Sequence, residues 1–219
     1  MVNRVPEFQR TEKTRLGRLP KRGSYDRETV HRIVDEALIC HVGFTLGGEP
    51  YVLPTAIARI HDTVYLHGSR VSRMLQHLAT GGAACIVVTL IDGLVLARSG
   101  FHHSMNYRSV VIYGRGRVLT GAAKRTVLDT FVERLIPGRV ADIRPITRKE
   151  LNATTAIEYE LNEASAKTRT GPPVDDAEDY DLPIWAGVLP LSLKPGKPVV
   201  DPDLKVDVPV PGYIRKYRR

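Results

Sequence analysis

The chain carries the stretch PYVLPTAIAR at residues 50–59, followed by TVYLHGSRVSRML at residues 63–75. Residues 51–59 and 63–67 have the composition of strands and a turn containing Asp62 separates them, which predicts two antiparallel strands. The second strand ends in a turn of small, hydroxylated and basic residues, and a helix is predicted over 71–79. Free backbone N–H groups at the start of a helix attract anions. This part of the chain therefore predicts a β-sheet with an anion site at a strand-to-helix turn.

The candidate anion site consists of the small and basic residues in this turn, which are Gly68, Ser69, Arg70, Ser72 and Arg73. A glycine lets a ligand approach the backbone, hydroxyl groups donate hydrogen bonds, and an arginine forms charge-assisted bonds with phosphate. The alternative is an ordinary helix N-cap with two arginines in solvent. The turn by itself does not decide between the two interpretations.

Most of the remaining chain shows strand periodicity. Further strands are predicted over 39–45, 84–90, 94–98, 107–119 and 155–160, the last of them ending the sheet, with tight turns at Gly47–Gly48 and Asp92–Gly93. Helical periodicity marks residues 30–38 and 127–135. Six or more antiparallel strands joined by hairpins, with helices between them, predict a mainly β fold, a small closed barrel with peripheral helices.

Basic residues are concentrated at the two ends of the chain. The formal net charge is +8, yet residues 1–22 carry seven Lys/Arg and two Glu, and residues 213–219 carry four Lys/Arg and no acid. We therefore divide the chain into a basic N-terminal arm without hydrophobic periodicity (1–22), a barrel domain (23–189) and a proline-rich, extended basic tail (190–219). The nearly neutral centre argues against nucleic acid as a partner.

Cysteine placement and hydropathy bear on the compartment. Cys40 and Cys85 both lie in apolar runs with no metal-ligand spacing, which favours a reducing environment. The polar residues after Met1 do not form a secretory signal, and the longest apolar run has the length of a strand. A soluble, cytoplasmic protein without a membrane partner is expected.

Two further polar clusters are candidates for ligand contacts. Residues 98–110 (RSGFHHSMNYRSV) contain two histidines, two arginines, an asparagine and three serines. No Cys or carboxylate stands at ligand spacing from the adjacent histidines, so hydrogen bonds to a polar ligand are predicted rather than a metal site. In the second cluster Lys167 and Arg169 alternate along an extended segment, with Trp185 downstream. The alternatives are a solvated loop for residues 98–110 and a core position for Trp185.

Four segments in this order resemble a known family. They are LICHVGF (38–44), PYVLPT (50–55), YLHGS followed by SRML (65–75) and FHHSMNYRSVV (101–111). Together they resemble the flavin-nucleotide-binding, nitroimidazole-resistance (Nim) type branch of the pyridoxamine 5′-phosphate oxidase-like superfamily. The resemblance implies an FMN-binding split β-barrel that forms a homodimer, with FMN in a groove at the subunit interface.

The resemblance also implies a role for each matching residue. The isoalloxazine edge would lie along Val52, Leu53, Pro54 and Thr55, and the ribityl chain over His67, Gly68 and Ser69. The phosphate would be held by Ser72 and Arg73, with Arg70 as a second candidate because Val71 replaces the lysine that follows it in oxidases. Further flavin contacts would come from Asn106, Arg108 and Ser109, and, on the C-terminal arm, from Lys167, Arg169 and Trp185.

The functional prediction is an FMN-dependent oxidoreductase. It would take reducing equivalents from a nicotinamide nucleotide or another donor and pass them to a small acceptor such as a nitroaromatic compound. His67 is the candidate catalytic residue beside the substrate, and its alternative is a structural histidine bonded to backbone. The flavin carries the redox chemistry, so no paired carboxylates or activated nucleophile are required. A flavin carrier or sensor without catalysis stays open, as does a deazaflavin or haem in the same groove.

Overall fold

The structure is a computed structural model that describes residues 7–218. Most of the described residues form strands, with helices between groups of strands. In order they are β1 (Gly23–Ser24), α1 (Arg27–Glu36), β2 (Ile39–Leu46), β3 (Glu49–Ala56), β4 (Ala58–Ile60), β5 (Thr63–Ser69), α2 (Arg73–Ala79), β6 (Ala83–Leu96), β7 (Ser104–Arg115), β8 (Arg117–Val118), α3 (Gly121–Leu135), α4 (Arg148–Ala153), β9 (Thr154–Glu160), β10 (Glu163–Arg169), β11 (Gly187–Pro190) and α5 (Gly212–Arg215).

Two antiparallel sheets form the framework. The larger sheet has the strand order β1-β10-β7-β6-β2-β3, with β11 also paired to β6, and the smaller sheet has the order β4-β5-β9-β8. Strand β3 lies at an edge of the larger sheet and, among the described residues, pairs only with β2. The mainly antiparallel architecture with peripheral helices confirms the predicted split barrel. Within residues 7–218, no helix has the length and apolarity needed to cross a membrane.

Helix α1 packs its apolar stripe into the main core. Asp26 is its N-cap and accepts a 2.8 Å hydrogen bond from the backbone N–H of Thr29. Val30, Ile33 and Val34 follow the helical repeat and are fully buried. The helix contacts β4, β7 and β10, so it ties the smaller sheet to the larger one.

Helix α3 covers the second face of the smaller sheet. In β5, Val64 and Leu66 face the main core, whereas the alternate residue Tyr65 packs with Val127 and Phe131 of α3 in a separate cluster. The smaller sheet is therefore apolar on both faces. This arrangement places Tyr65 and His67 of β5 under α3.

The predicted turn at Asp92–Gly93 is wrong, because β6 runs through it as one strand. Its pairing with β7 shifts between Ile91 and Gly93, which is a β-bulge. A Cβ atom at Gly93 would lie 3.0 Å from the carbonyl oxygen of Leu189 in β11. The glycine therefore serves the close approach of β11 to β6 rather than a reversal of the chain.

The predicted end of the sheet at residue 160 is also wrong. Strand β10 follows after a two-residue turn. It pairs with β7 along its whole length and with β1 at Ala166 and Lys167, and β11 pairs with β6. Ala164, Ser165 and Ala166 of β10 are buried. Their small side chains lack the β-branched and aromatic signal on which strand prediction depends.

Both chain ends make contacts that composition does not predict. In the arm, Phe8 is only 2% exposed and its N–H donates to the carbonyl of Tyr25 at 2.8 Å. In the tail, the extended conformation ends in one helical turn, α5, although no helix is expected there. Its Tyr213 hydroxyl donates to Asp142, so the tail returns to the segment after α3.

Candidate functional site

Edge strand β3 carries the first group of candidate residues. Val52 is 65% exposed, and Leu53 and Pro54 are also exposed. Among residues 7–218, the side of β3 away from β2 has no partner strand, so its backbone N–H and C=O groups there can bond another molecule. A flat, partly polar ring system or a second protein chain can bind here, because it can cover the exposed apolar side chains and bond the unpaired backbone groups.

The turn after β5 lies beside β3. Arg73 places its guanidinium over the ring of Tyr51, 4.5 Å from the centroid, so the turn and the edge strand are in contact. Ser72 is the N-cap residue of α2, but its side chain makes no capping hydrogen bond. The structure thus brings Ser72 and Arg73 together with the strand that contains Val52.

The two arginines of the turn lie in different surroundings. The backbone N–H of Arg70 donates to the carbonyl of Ala153, at the end of α4. Burial, and next the charge of Arg70, lower the pKa of Lys124 in α3. Arg70 is therefore close to α3, whereas Arg73 is directed to β3.

The second group of candidate residues lies on β7 and β10 and is engaged by the chain itself. Arg108 pairs with Glu36 and Asp92, and the hydrogen bonds of these two carboxylates raise its pKa. Buried Arg169 donates to Asn106 Oδ1 and to the carbonyls of the loop that follows β10. These contacts hold strands and loops in place and leave few donors of the two guanidinium groups for a ligand.

Three further candidates belong to the same region. Ser109 and Lys167 are opposite each other in the β7–β10 ladder, and Ser109 Oγ donates to the Lys167 carbonyl at 3.3 Å. The Lys167 ammonium donates to the carbonyl of Arg18 in the arm at 3.2 Å. Trp185 is 69% exposed, so the alternative of a core tryptophan is wrong. Strands β6 and β2 separate this group from β3 within one chain.

His67 stands apart from the β3 groove. Its ring lies under α3, with its centroid 4.1 Å from that of Phe131. Nδ1 is buried and has no hydrogen-bond partner among the described residues, so the alternative of a histidine bonded to backbone by this nitrogen does not hold. Burial lowers the pKa of His67, which favours the neutral imidazole.

The His67 ring contributes to a pocket of about 630 Å³ between α3, β5 and the segment 140–154. No residue of β3 lines it. Most of its walls are apolar, formed by Leu128, Phe131, Val132, Leu135, Val140, Ile143, Pro145 and Ile146. Sequence reasoning missed this pocket, because the segment 137–147 has no periodicity that would place it against α3.

A second pocket, of about 940 Å³, adjoins β3. Tyr51 and Val52 form one wall, and Tyr113 of β7 and Cys85 of β6 lie on another. Its charged residues are Lys13, Arg115 and Glu163, with Lys13 and Glu163 3.4 Å apart. Sequence analysis did not single out Tyr51 or Tyr113, although Tyr51 directly precedes the candidate strand residues. Within residues 7–218, no cluster of three or more His, Cys, Asp or Glu residues could hold a metal ion.

Comparisons with solved structures give two matches along nearly the whole chain. The flavocytochrome Anf3 from Azotobacter vinelandii is 42% identical with a TM-score of 0.89, covering 95% of this chain and 97% of that one. A FAD and haem binding protein from Mycobacterium smegmatis is 38% identical with a TM-score of 0.85, covering 89% of this chain and 96% of that one.

A third match bears on the nitroimidazole-resistance branch. A protein from Bacteroides thetaiotaomicron, proposed to confer 5-nitroimidazole antibiotic resistance, is 24% identical with a TM-score of 0.54, covering 66% of this chain and 85% of that one. At this identity the match supports the fold alone, so that branch stays a prediction.

A comparison with curated protein sequences finds no match. The family model for pyridoxamine 5′-phosphate oxidase matches residues 26–168, well over half of the chain. The match spans β3, the turn before α2, the pocket under α3 and most of β10. The chain therefore belongs to the pyridoxamine 5′-phosphate oxidase family.

Proposed function

We propose that the protein is a redox protein of the flavocytochrome type, which binds a flavin and a haem. The observation that carries the proposal is the pair of matches at 42% and 38% identity over nearly the full chain, one to a flavocytochrome and one to a FAD and haem binding protein. When bound, the flavin exchanges two electrons with an organic donor or acceptor and the haem iron exchanges one. The chain's task is to bind and orient these groups.

The β3 groove has the chemistry that a flavin requires. The free backbone groups of the edge strand can bond the polar edge of the ring system, and exposed Val52 offers an apolar surface beside them. Arg73 supplies a cation for a phosphate within reach of the same strand. We assign the flavin to residues 52–55 and 68–73. This follows the sequence prediction except at His67, which was expected beneath the ribityl chain but lines the separate pocket under α3.

The choice between FMN and FAD depends on room beyond the phosphate turn. The sequence resemblance implies FMN, whereas one of the similar structures is of a protein that binds FAD. The 940 Å³ pocket begins at Tyr51, the residue under Arg73, and contains the cations Lys13 and Arg115. A second phosphate and an adenosine would fit this pocket, so we favour FAD.

A second copy of the chain would complete the flavin site. The candidate residues on β7 and β10 are separated from β3 by β6 and β2 within one chain. In a symmetric dimer, the exposed Trp185 of one copy could cover the flavin bound to β3 of the other. This supports the predicted homodimer, with the flavin at the interface.

The test is the absorption spectrum of the purified protein, followed by anaerobic titration with NADH and NADPH. We expect flavin bands and a haem Soret band, FAD on chromatography of the acid-released flavin, and haem b in alkaline pyridine. Bleaching of the flavin by a nicotinamide nucleotide would support an oxidoreductase over a carrier. The nicotinamide donor and the nitroaromatic acceptor stay predictions until that titration. A protein that stays colourless after incubation with FMN, FAD and haemin contradicts the proposal.

A further inference from the structure

We propose that His67 is the axial ligand of the haem and that the haem occupies the pocket between α3, β5 and the segment 140–154. The proposal rests on the proposed function, since it names the site of the second cofactor. It assigns the two redox groups to different sites, the flavin to β3 and the haem to the pocket under α3, which share no lining residue.

The state of the His67 ring is the first support. A metal-ligating histidine must be neutral and must present a nitrogen that the protein does not already use. The buried Nδ1 of His67 has no hydrogen-bond partner among the described residues, and the ring lines the pocket. Leaving a buried polar atom without a hydrogen bond costs about 1–3 kcal/mol. The chain thus maintains an imidazole whose nitrogen it does not satisfy, at the wall of a pocket.

The walls of the pocket are the second support. A tetrapyrrole is a large, flat, mostly apolar ligand, and this pocket has a volume of about 630 Å³, within the size range of cofactor sites. Leu135 and Ile143 at its edge are large apolar residues left 41% and 37% exposed. A bound apolar ring would remove this surface from water.

The charged residues of the pocket fit the two carboxylates of haem. Arg125 and Arg144 line the pocket together with Asp129 and Glu150. Arg144 pairs with Glu150, whereas Arg125 makes one hydrogen bond among the described residues, to the neutral carbonyl of Ile146 at 2.9 Å. Its remaining donors are therefore available for a propionate. The hydroxyl-bearing Thr154 completes the polar part of the lining.

The other histidines are less suited to the role. His31 and His102 lie 2.8 and 3.2 Å from the carboxylates of Asp62 and Asp176, and His103 Nδ1 lies 2.8 Å from the Ser99 carbonyl. His41 and His61 are exposed. His77 lines the pocket beside Tyr51, but its Nε2 faces the backbone of Gly82, where a Cβ would lie at 2.5 Å.

The test compares His67→Ala with the matched control His77→Ala in the full-length protein. Haem content per chain, the Soret maximum and the electron paramagnetic resonance spectrum are measured, together with flavin content and the melting temperature. Loss of residues that only support a metal ligand typically weakens metal sites about 10–100-fold, so we expect His67→Ala to lose haem affinity by at least about tenfold. The flavin content of His67→Ala should stay unchanged, and added imidazole should restore a nitrogen-ligated haem in this variant. The control His77→Ala should keep the haem signals of wild type.

Two further variants keep the test decisive if His67→Ala does not fold. His67→Met retains the volume and should give haem with a shifted Soret band and a higher reduction potential, as expected for a thioether ligand. Arg125→Gln should weaken haem binding and leave the spectrum of the bound haem unchanged. Haem spectra in His67→Ala or His67→Met identical to wild type overturn this proposal alone. A wild-type protein that takes up flavin but no haem overturns the haem part of the proposed function, and this assignment with it.

Discussion

The guanidinium of Arg73 lies over the ring of Tyr51, 4.5 Å from its centroid. The contact joins the first residue of α2 to edge strand β3, two elements that are separated by β4 and β5 in sequence. An arginine that lies over an aromatic ring can still bond an anion, because its N–H groups point outward in the plane of the guanidinium. Arg73 is thus oriented by the protein before any phosphate binds.

Replacement of Arg73 by alanine should release the flavin and leave the fold intact. A charge-assisted hydrogen bond contributes about 1.5–3 kcal/mol, so the dissociation constant should rise by about one to two decades. Isothermal titration of the apoprotein with FMN and FAD measures the change. Arg117→Ala is the matched control, because Arg117 is exposed and paired with Glu158 on the smaller sheet. Unchanged flavin affinity in Arg73→Ala and in Arg70→Ala would place the phosphate elsewhere.

The exposed apolar edge of β3 predicts the effect of a charge at the subunit interface. Val52→Glu places a carboxylate on the uncovered side of the sheet, where desolvation in a dimer would be costly. We expect it to convert a homodimer into a monomer that binds flavin weakly. Light scattering measures the mass, and Val199→Glu is the control, since Val199 is 94% exposed in the tail. A wild-type monomer that binds flavin fully would refute both the dimer and the shared site.

The lowered pKa of His67 predicts a pH dependence of stability. The folded state resists protonation of this ring, whereas the unfolded chain takes up a proton near the ordinary pKa of 6.5. Above that pH the ring is neutral in both states, so His67 does not change the free energy of unfolding. Below it the unfolded state gains a proton that the folded state resists, so the free energy of unfolding falls until the folded ring is also protonated. Urea unfolding of the cofactor-depleted protein between pH 7.5 and 5 checks this. His67→Gln should flatten the profile relative to wild type, and His41→Gln, at an exposed position, should not.

The close approach of β11 to Gly93 predicts that a larger residue at this position displaces β11. A Cβ there would meet the backbone oxygen of Leu189 and a methyl group of Val188, both at 3.0 Å. Gly93→Val should therefore displace β11 and lower the free energy of unfolding by about 1–3 kcal/mol, as overpacking does. Gly100→Val is the control, because nothing lies within 4 Å of its Cβ position. Equal melting temperatures of the two variants would contradict a tight β6–β11 approach.

Helices and strands with strong hydrophobic periodicity are predicted correctly from the sequence, and so are the residues that make up the β5–α2 turn. The stripe of Val30, Ile33 and Val34 and the alternation in β5 identify buried faces directly. The turn is local in sequence, so its serines and arginines are recognisable without the fold. Contacts between distant segments, such as Arg73 with Tyr51, require the tertiary structure.

Other features have weak local signals or depend on long-range pairing. Strand β10 is built from small residues, and Asp92–Gly93 has the composition of a hairpin turn but forms a bulge because β11 pairs beside it. The pocket at His67 depends on segment 137–147 folding back over α3. A histidine in a strand is compatible with many roles. The ligand role that we propose for His67 rests on its unpartnered Nδ1 and on the apolar walls of the pocket, which only the tertiary structure reveals.

The tail should matter for the haem pocket and not for the flavin groove. The Tyr213 hydroxyl donates to Asp142 at 2.5 Å and accepts from Arg139 at 3.1 Å, and these residues flank Val140, a wall of the pocket. Truncation after Leu191 removes both bonds but keeps Leu191, whose N–H donates to the Asp92 carbonyl at 3.0 Å. We expect normal flavin content and a several-fold lower haem affinity in the truncated chain, measured by optical titration with haemin. Tyr213→Phe should reproduce part of the haem effect, because each lost hydrogen bond contributes about 0.5–1.5 kcal/mol. A truncated chain that loses flavin while retaining haem would show that the tail closes the β3 groove instead.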